Sequence, residues 1–187
     1  MKIGSLFSGI GGLELGLECA GLGRTVWQVE IDEFCRRVLA RHWPNTRRHD
    51  DVRTVGASVL EPVDIICGGF PCQDVSAAGK GAGLSGERSS LWREYRRIVA
   101  ELRPRVVVVE NVSSGKRRWL PFVRADLEAL GYETVALELG ACDVGAPHRR
   151  LRVFVVAYTN GYGEPAVAEH GEVAEPLPTT GAPTYAD

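Results

Sequence analysis

Short, continuously apolar runs alternate with segments of helical periodicity along the first 157 residues. KIGSLF (2–7) has the composition of a buried strand, and a glycine-rich turn, Gly9 to Gly12, follows it. From Leu13 to Cys19 the apolar residues return at helical spacing. A second strand is predicted over Val26 to Ile31, then a helix from Glu33 to His42 that Pro44 ends. Val63 to Cys67 forms a third apolar run, bounded by Gly68 and Gly69. Ser89 to Leu102 reads as an amphipathic helix with Leu91, Tyr95, Ile98, Val99 and Leu102 on one side. Pro104 closes it, and Arg105 to Glu110 carries the strongest strand signal in the chain, VVVV. A helix over Trp119 to Leu130 stops at Gly131, and two β-rich runs follow, Thr134 to Leu139 and Arg152 to Tyr158. Strands apolar throughout, separated by helices, are buried on both faces, which predicts a doubly wound, mostly parallel α/β sheet.

After residue 158 the pattern dissolves into an acidic segment rich in Pro, Gly and Ala, read as a tail or truncated linker over 159–187 beside a domain over 1–158. The 187 residues suffice for one sizeable core. Hydrophobic content of 44% and charged content of 25% are those of a globular domain, without a signal-like leader or a membrane-length apolar run, so a cytoplasmic location is expected. Five scattered cysteines without a CxxC pair argue against a disulfide framework and against a metal site. The net charge of −2 hides an asymmetry. Beyond Arg152 there are five acids and no Lys or Arg, which leaves the preceding body with 22 bases against 19 acids, a balance of +3 compatible with a nucleic-acid partner.

Three places carry candidate chemistry. The turn FSGIGG (7–12) lies between the first strand and the first helix, where glycines let the backbone approach a ligand or serve only a tight turn. Glu30 ends the next strand about 20 residues on, where a carboxylate meets ribose hydroxyls, and Asp50 and Asp51 are placed to accept from an adenine amino group. No P-loop Lys-Ser/Thr pair follows the turn, so an adenosyl cofactor without phosphates fits better than a triphosphate.

The second place is GGFPCQ (68–73), just past a central strand, where open α/β sheets bind ligands. Cys72 is there an inert thiol, a metal ligand or a nucleophile, whereas Cys67 inside the strand reads as core. A long glycine-rich loop from Ser76 to Ser90, carrying Lys80 and Arg88, has the character of a lid over a phosphate-bearing substrate. The third place joins Glu110, a carboxylate emerging from VVVV, to PHRRLR (147–152), where strand alternation sets Arg150 and Arg152 on one face. Two such arginines can clamp a carbonyl or a phosphate.

The ordered set FSGIGG, EID, DDV, GGFPCQ, ENV and PHRRLR closely resembles the cytosine-5 DNA methyltransferase family over residues 3 to about 157. The resemblance implies the Rossmann-like fold of S-adenosylmethionine-dependent methyltransferases. It implies that Phe7, Gly9, Gly11, Leu13 and Pro71 line S-adenosylmethionine, that Glu30 holds its ribose, and that Ile31, Asp51 and Val52 surround the adenine. Cys72 would add to C6 of a cytosine flipped out of double-stranded DNA, Glu110 would bond N3 and the exocyclic amine, and Arg150 and Arg152 would complete the catalytic set, with Arg152 on O2. Gln73, Ser76, Lys80 and Arg88 would contact the DNA. In such a family the chain would belong to DNA modification of the restriction–modification kind.

Two departures stand out. His148 occupies a position where the family often has glutamine. Family members also continue into a target-recognition region and two further motifs that complete the cofactor domain, and nothing after Tyr158 supplies them, so the fold is expected to be incomplete at the C-terminus. Alternatives to a DNA methyltransferase are therefore a non-catalytic or split-enzyme fragment, whose second chain supplies target recognition, and a tRNA cytosine-5 methyltransferase.

Overall fold

A computed structural model describes residues 1–71 and 90–159. Seven strands form one sheet in the order β3-β2-β1-β4-β5-β7-β6. These are β1 (Lys2–Leu6), β2 (Arg24–Val29), β3 (Arg47–His49), β4 (Ile65–Gly68), β5 (Val106–Val112), β6 (Tyr132–Leu139) and β7 (Arg152–Thr159). The pairings from β3 across to β5 are all parallel, while β7 runs antiparallel to both β5 and β6. The mostly parallel α/β sheet expected from the apolar runs is therefore present. Its helices are α1 (Gly12–Cys19), α2 (Glu33–His42), α3 (Ser90–Leu102) and α4 (Lys116–Ala129).

The two faces are covered unequally. On one, Trp92, Tyr95, Ile98 and Val99 of α3 and Trp119, Val123 and Leu127 of α4 close over Leu6, Ile66, Val107, Val109, Val153 and Val155. On the other, Leu13 and Leu17 of α1 cover Ile3, Ile65 and Cys67. Cys67 is fully buried, as expected, and burial pushes its thiol far up from its ordinary value. Farther along this second face, Val135, Leu137 and Leu139 of β6 remain 42%, 50% and 45% exposed. An alternating strand with one solvated apolar side is a surface that another element can cover.

Elements differ from the periodicity reading in small ways with clear causes. β3 is only three residues, RRH, without an apolar run to announce it. α4 begins three residues before Trp119, capped by Gly115 at φ 82°, because its first turn is basic rather than apolar. β7 extends to Thr159, one residue past the expected boundary, and the rest of the expected tail lies outside the described residues. Among the described residues no helix is long and apolar enough to cross a membrane.

Candidate active site

A parallel sheet sends all its strands out at one edge, and the antiparallel β7 begins at that same edge. Phe7 follows the end of β1, Glu30 the end of β2, Asp51 the segment after β3, and Pro71 the segment after β4, while Glu110 occupies the last turn-side portion of β5. The register Val112↔Arg152 brings the start of β7 beside them. Nearly every described residue nominated from the sequence thus converges on one rim.

The first cluster is the glycine turn. Gly9 and Gly11 adopt φ 55° and 92°, a region that costs little only for glycine, and no atom lies within 4 Å of where a Gly9 side chain would start. Phe7 holds φ 53° despite its side chain, and its ring stacks on Tyr95 at 6.3 Å. Such left-handed backbone at a non-glycine residue persists only where surroundings enforce it. Glu30 does part of that enforcing. Its Oε2 accepts from the Gly9 amide at 2.7 Å and its Oε1 from the Asp32 amide at 2.8 Å, so one carboxylate ties the turn to the end of β2. Each oxygen keeps a second lone pair for another donor. Ile31 beside it is 70% exposed, an apolar surface at the rim. Asp51 caps a short helical turn through the Arg53 amide, and Val52 is buried in the large core. Leu13 packs mainly into the small core under α1, so its place is structural as well as near the turn.

The second cluster surrounds Glu110. Arg152 Nε lies 2.7 Å from Glu110 Oε1, with both side chains about one-quarter exposed at 24% and 25%. Burial raises the Glu110 pKa above the ordinary carboxylate value, and the charges of Arg152 and Arg150 oppose that rise without cancelling it. Room for this carboxylate comes from Gly69, where an added Cβ would sit 2.7 Å from Glu110 Oε2. Arg150 reaches the cluster differently from the strand-alternation expectation. It lies before β7, with φ 35°, so a left-handed residue rather than pleat alternation sets its direction.

The third cluster surrounds Phe70, where the described chain leaves β4. Asn111 is buried and its Nδ2 donates to the Phe70 carbonyl at 3.0 Å, two residues before Cys72. The Phe70 ring lies 5.3 Å from Trp92 and 6.1 Å from Trp119, and Trp92 in turn donates to Asp126 at 2.7 Å. The chain therefore leaves β4 from a rigid aromatic base. Cys72, Gln73, Ser76, Lys80, Arg88 and the glycine-rich loop they belong to lie outside the described residues.

Sequence reading missed several of these partners. Asn111 had one legible signal, a polar residue at an alternation position that should be buried. Gly69 had none, because its need for hydrogen arises from a carboxylate 41 positions away. Arg117 and Arg118, exposed in the first turn of α4, were also passed over. That turn is held at the rim by Ser113 and Lys116, which both bond Glu138 at the end of β6.

The chain matches the family model for C-5 cytosine-specific DNA methylases over residues 1–183. Among curated proteins it is 32% identical over 181 residues to Type II methyltransferase M1.ScrFI of Lactococcus lactis subsp. cremoris, covering 95% of this chain and 45% of that protein. It is 33% identical over 159 residues to Type II methyltransferase M.HhaI of Haemophilus parahaemolyticus, covering 83% and 48%. The chain thus spans about half the length of the curated relatives it matches. Among solved structures, a candidate DNA modification methyltransferase encoded within an E. coli prophage superposes with a TM-score of 0.71 at 30% identity, over 85% of this chain and 47% of the other. The Dnmt2 methyltransferase of S. pombe, at 20% identity and a TM-score of 0.74 over 88% and 52%, shares the fold. Sheet order, the converging rim and these matches lead to one conclusion: this chain belongs to the C-5 cytosine-specific DNA methylase family.

Proposed function

We propose that the chain is the catalytic portion of an S-adenosylmethionine-dependent DNA cytosine-5 methyltransferase. The observation that carries the reading is the Glu110–Arg152 pair, seated at the sheet's carboxyl edge in the space that Gly69 leaves open. S-adenosylmethionine supplies an electrophilic methyl group on a sulfonium. The turn fits such a molecule, because the backbone at Gly9 is open to close approach, while Gly11 is packed against Trp43 and Leu39, and the turn carries no phosphate-binding lysine. Glu30 would accept from the ribose hydroxyls with its remaining lone pairs, and Ile31, Asp51 and Val52 would enclose the adenine. Replacing Glu30 by alanine removes both that acceptor and the brace on Gly9. Calorimetry is expected to show cofactor binding weakened by about 1–3 kcal/mol, and an unchanged dissociation constant would take Glu30 out of this role.

Cytosine C5 is a poor nucleophile while the ring is aromatic. The Cys72 thiolate attacks C6 and the electron pair of the C5–C6 bond moves to C5, which then takes the methyl group. A base in the surrounding solvent then removes the C5 proton, the C5–H bonding pair re-forms the C5–C6 double bond, and the C6–S bond breaks with its pair leaving on the thiolate. Charge developing at N3 is met by the Glu110 proton, and Arg152 donates to O2. Arg150 adds a second cation, and Arg117 and Arg118, exposed in the first turn of α4, would meet phosphates of the duplex together with Lys80 and Arg88. Radiolabelled methyl transfer to duplex DNA, with tRNA as the competing substrate, tests the reading. Label in DNA supports it, and label in tRNA alone would replace DNA by tRNA.

The exposed apolar side of β6 favours a second reading, in which the chain works only with a covering polypeptide that also supplies target recognition. Label transfer that appears only on adding such a chain would establish that arrangement.

A further inference from the structure

Beneath the glycine turn lies a polar cluster that the catalytic reading does not use. Glu14, in the first turn of α1, is fully buried, as are Ser5 of β1 and Gln28 of β2. Ser5 and Gln28 are register partners in neighbouring strands, so their side chains share the face that α1 covers. Gln28 Nε2 donates to Glu14 Oε1 at 3.5 Å. The other atom of each group, Glu14 Oε2 and Gln28 Oε1, is buried without a hydrogen-bond partner. An ionised Glu14 would therefore leave two buried acceptors in one hydrogen-bonded pair without a donor, which costs the desolvation of both.

We propose that Glu14 carries a proton in the folded protein and closes a cyclic acid–amide pair with Gln28, and that this pair holds the turn Phe7–Gly11 in its cofactor-binding shape. One proton on Oε2 converts it into a donor to Gln28 Oε1 and satisfies both orphaned atoms together. Exchanging the amide oxygen and nitrogen of Gln28 only moves the need for that proton to the other carboxyl oxygen.

The surroundings suit a neutral acid. Burial is the strongest influence on Glu14 and raises its pKa, and the groups that oppose it are all uncharged: its own amide and the neighbouring side chains of Ser5, Ser8 and Gln28. From β4, the Cys67 thiol faces it and is kept neutral by its own burial. One turn along α1, burial pushes Glu18 up, but bonds from Thr25 and Trp43 outweigh that and hold its pKa below the ordinary carboxylate value.

The pair reaches the turn from two sides. Glu14 is two residues beyond the start of α1, so its bond to Gln28 fixes the turn's exit to β2. At the entrance, the Ser8 hydroxyl bonds the Ser5 hydroxyl at 2.9 Å, and the Ser8 amide donates to the Val29 carbonyl at 3.2 Å. Glu30 holds Gly9 between them.

The role in cofactor binding rests on the function proposed above, whereas the proton does not. The test compares the whole chain with Glu14→Gln and Glu14→Ala. The carboxyl resonance of Glu14 is expected to be that of the acid at neutral pH. Because its folded pKa lies above the unfolded value, its contribution to stability is complete below the ordinary carboxylate pKa and is lost as pH rises through the folded one. Wild-type melting temperature should therefore fall with rising pH relative to Glu14→Gln, which is isosteric and cannot ionise. Calorimetry with S-adenosylmethionine should find Glu14→Gln close to wild type and Glu14→Ala weaker by about tenfold, the loss of a buried hydrogen bond. If Glu14→Ala does not fold, Gln28→Leu removes the partner and should show the same loss.

An ionised Glu14 at neutral pH, or equal pH slopes for wild type and Glu14→Gln, overturns the proton. Unchanged affinity in Glu14→Ala overturns the bracing of the turn. A wild-type chain that binds no S-adenosylmethionine overturns the cofactor reading and the bracing with it, while the resonance still decides the proton.

Discussion

A chain carrying Cys72→Ser is expected to transfer no methyl group to DNA while its affinity for S-adenosylmethionine stays nearly unchanged. A serine hydroxyl at neutral pH is almost never an alkoxide, whereas a thiol in a cationic, partly exposed setting ionises readily. Without the thiolate at C6, the C5 carbon never gains the electron density to attack a methyl group. The check is a covalent trap with duplex DNA containing 5-fluorocytosine, whose C5 fluorine cannot leave as a proton does. The wild-type chain with S-adenosylmethionine should give a band of lower mobility on a denaturing gel, and Cys72→Ser should give none. Loss of cofactor binding in the serine variant would show that the thiol belongs to the cofactor pocket instead. Asn111 holds the Phe70 carbonyl and the aromatic base fixes the exit from β4 just before Cys72.

Glu110→Ala should slow methyl transfer by about a hundred- to a thousandfold, the usual cost of removing a group aimed at charge that develops in the transition state. Single-turnover measurement is the proper reading, because product release does not enter it. The pH dependence carries more information. Burial lifts the Glu110 pKa while Arg152 and Arg150 pull it back, so the fraction bearing a proton falls as pH rises through that value. The component of the rate that needs the proton falls with it. Glu110→Gln should flatten this limb at reduced rate, since an amide keeps the hydrogen bonds but has no acid proton to transfer. Arg152→Ala removes the nearest opposing charge, 2.7 Å away, and should displace the limb to higher pH. A limb that does not move in either variant would assign it to another group.

Much of this protein was legible in its order of residues. Runs such as VVVV and IIC are apolar at every position, as a strand covered on both faces requires, and their alternation with helical segments sets the α/β class. Glycines at 9 and 11, Glu30 after the second strand and Glu110 at the end of the fifth all mark one edge, because a parallel sheet presents every strand end on the same side. What escaped the sequence depends on contacts between distant positions. The pairing of β7 antiparallel between β5 and β6 is a choice of partner, and an apolar alternating strand is compatible with either direction. Periodicity placed Arg150 on the strand, yet the backbone turns left-handed there and delivers it to Glu110 by another route. Gly69 reads as a mere turn residue until Glu110 occupies the space above it.

Glu14 makes the division plain. In the sequence it is a charged residue in a short helix, where solvent exposure is the natural expectation. Only the tertiary structure closes β1, β2 and α1 around it and leaves two acceptors needing a single proton. The sequence by itself determined the fold class and the rim on which the chemistry gathers, since local hydrophobic pattern dictates both. Protonation, clearance and aim were decided by the tertiary structure, because each is a property of atoms brought together from far apart in the chain.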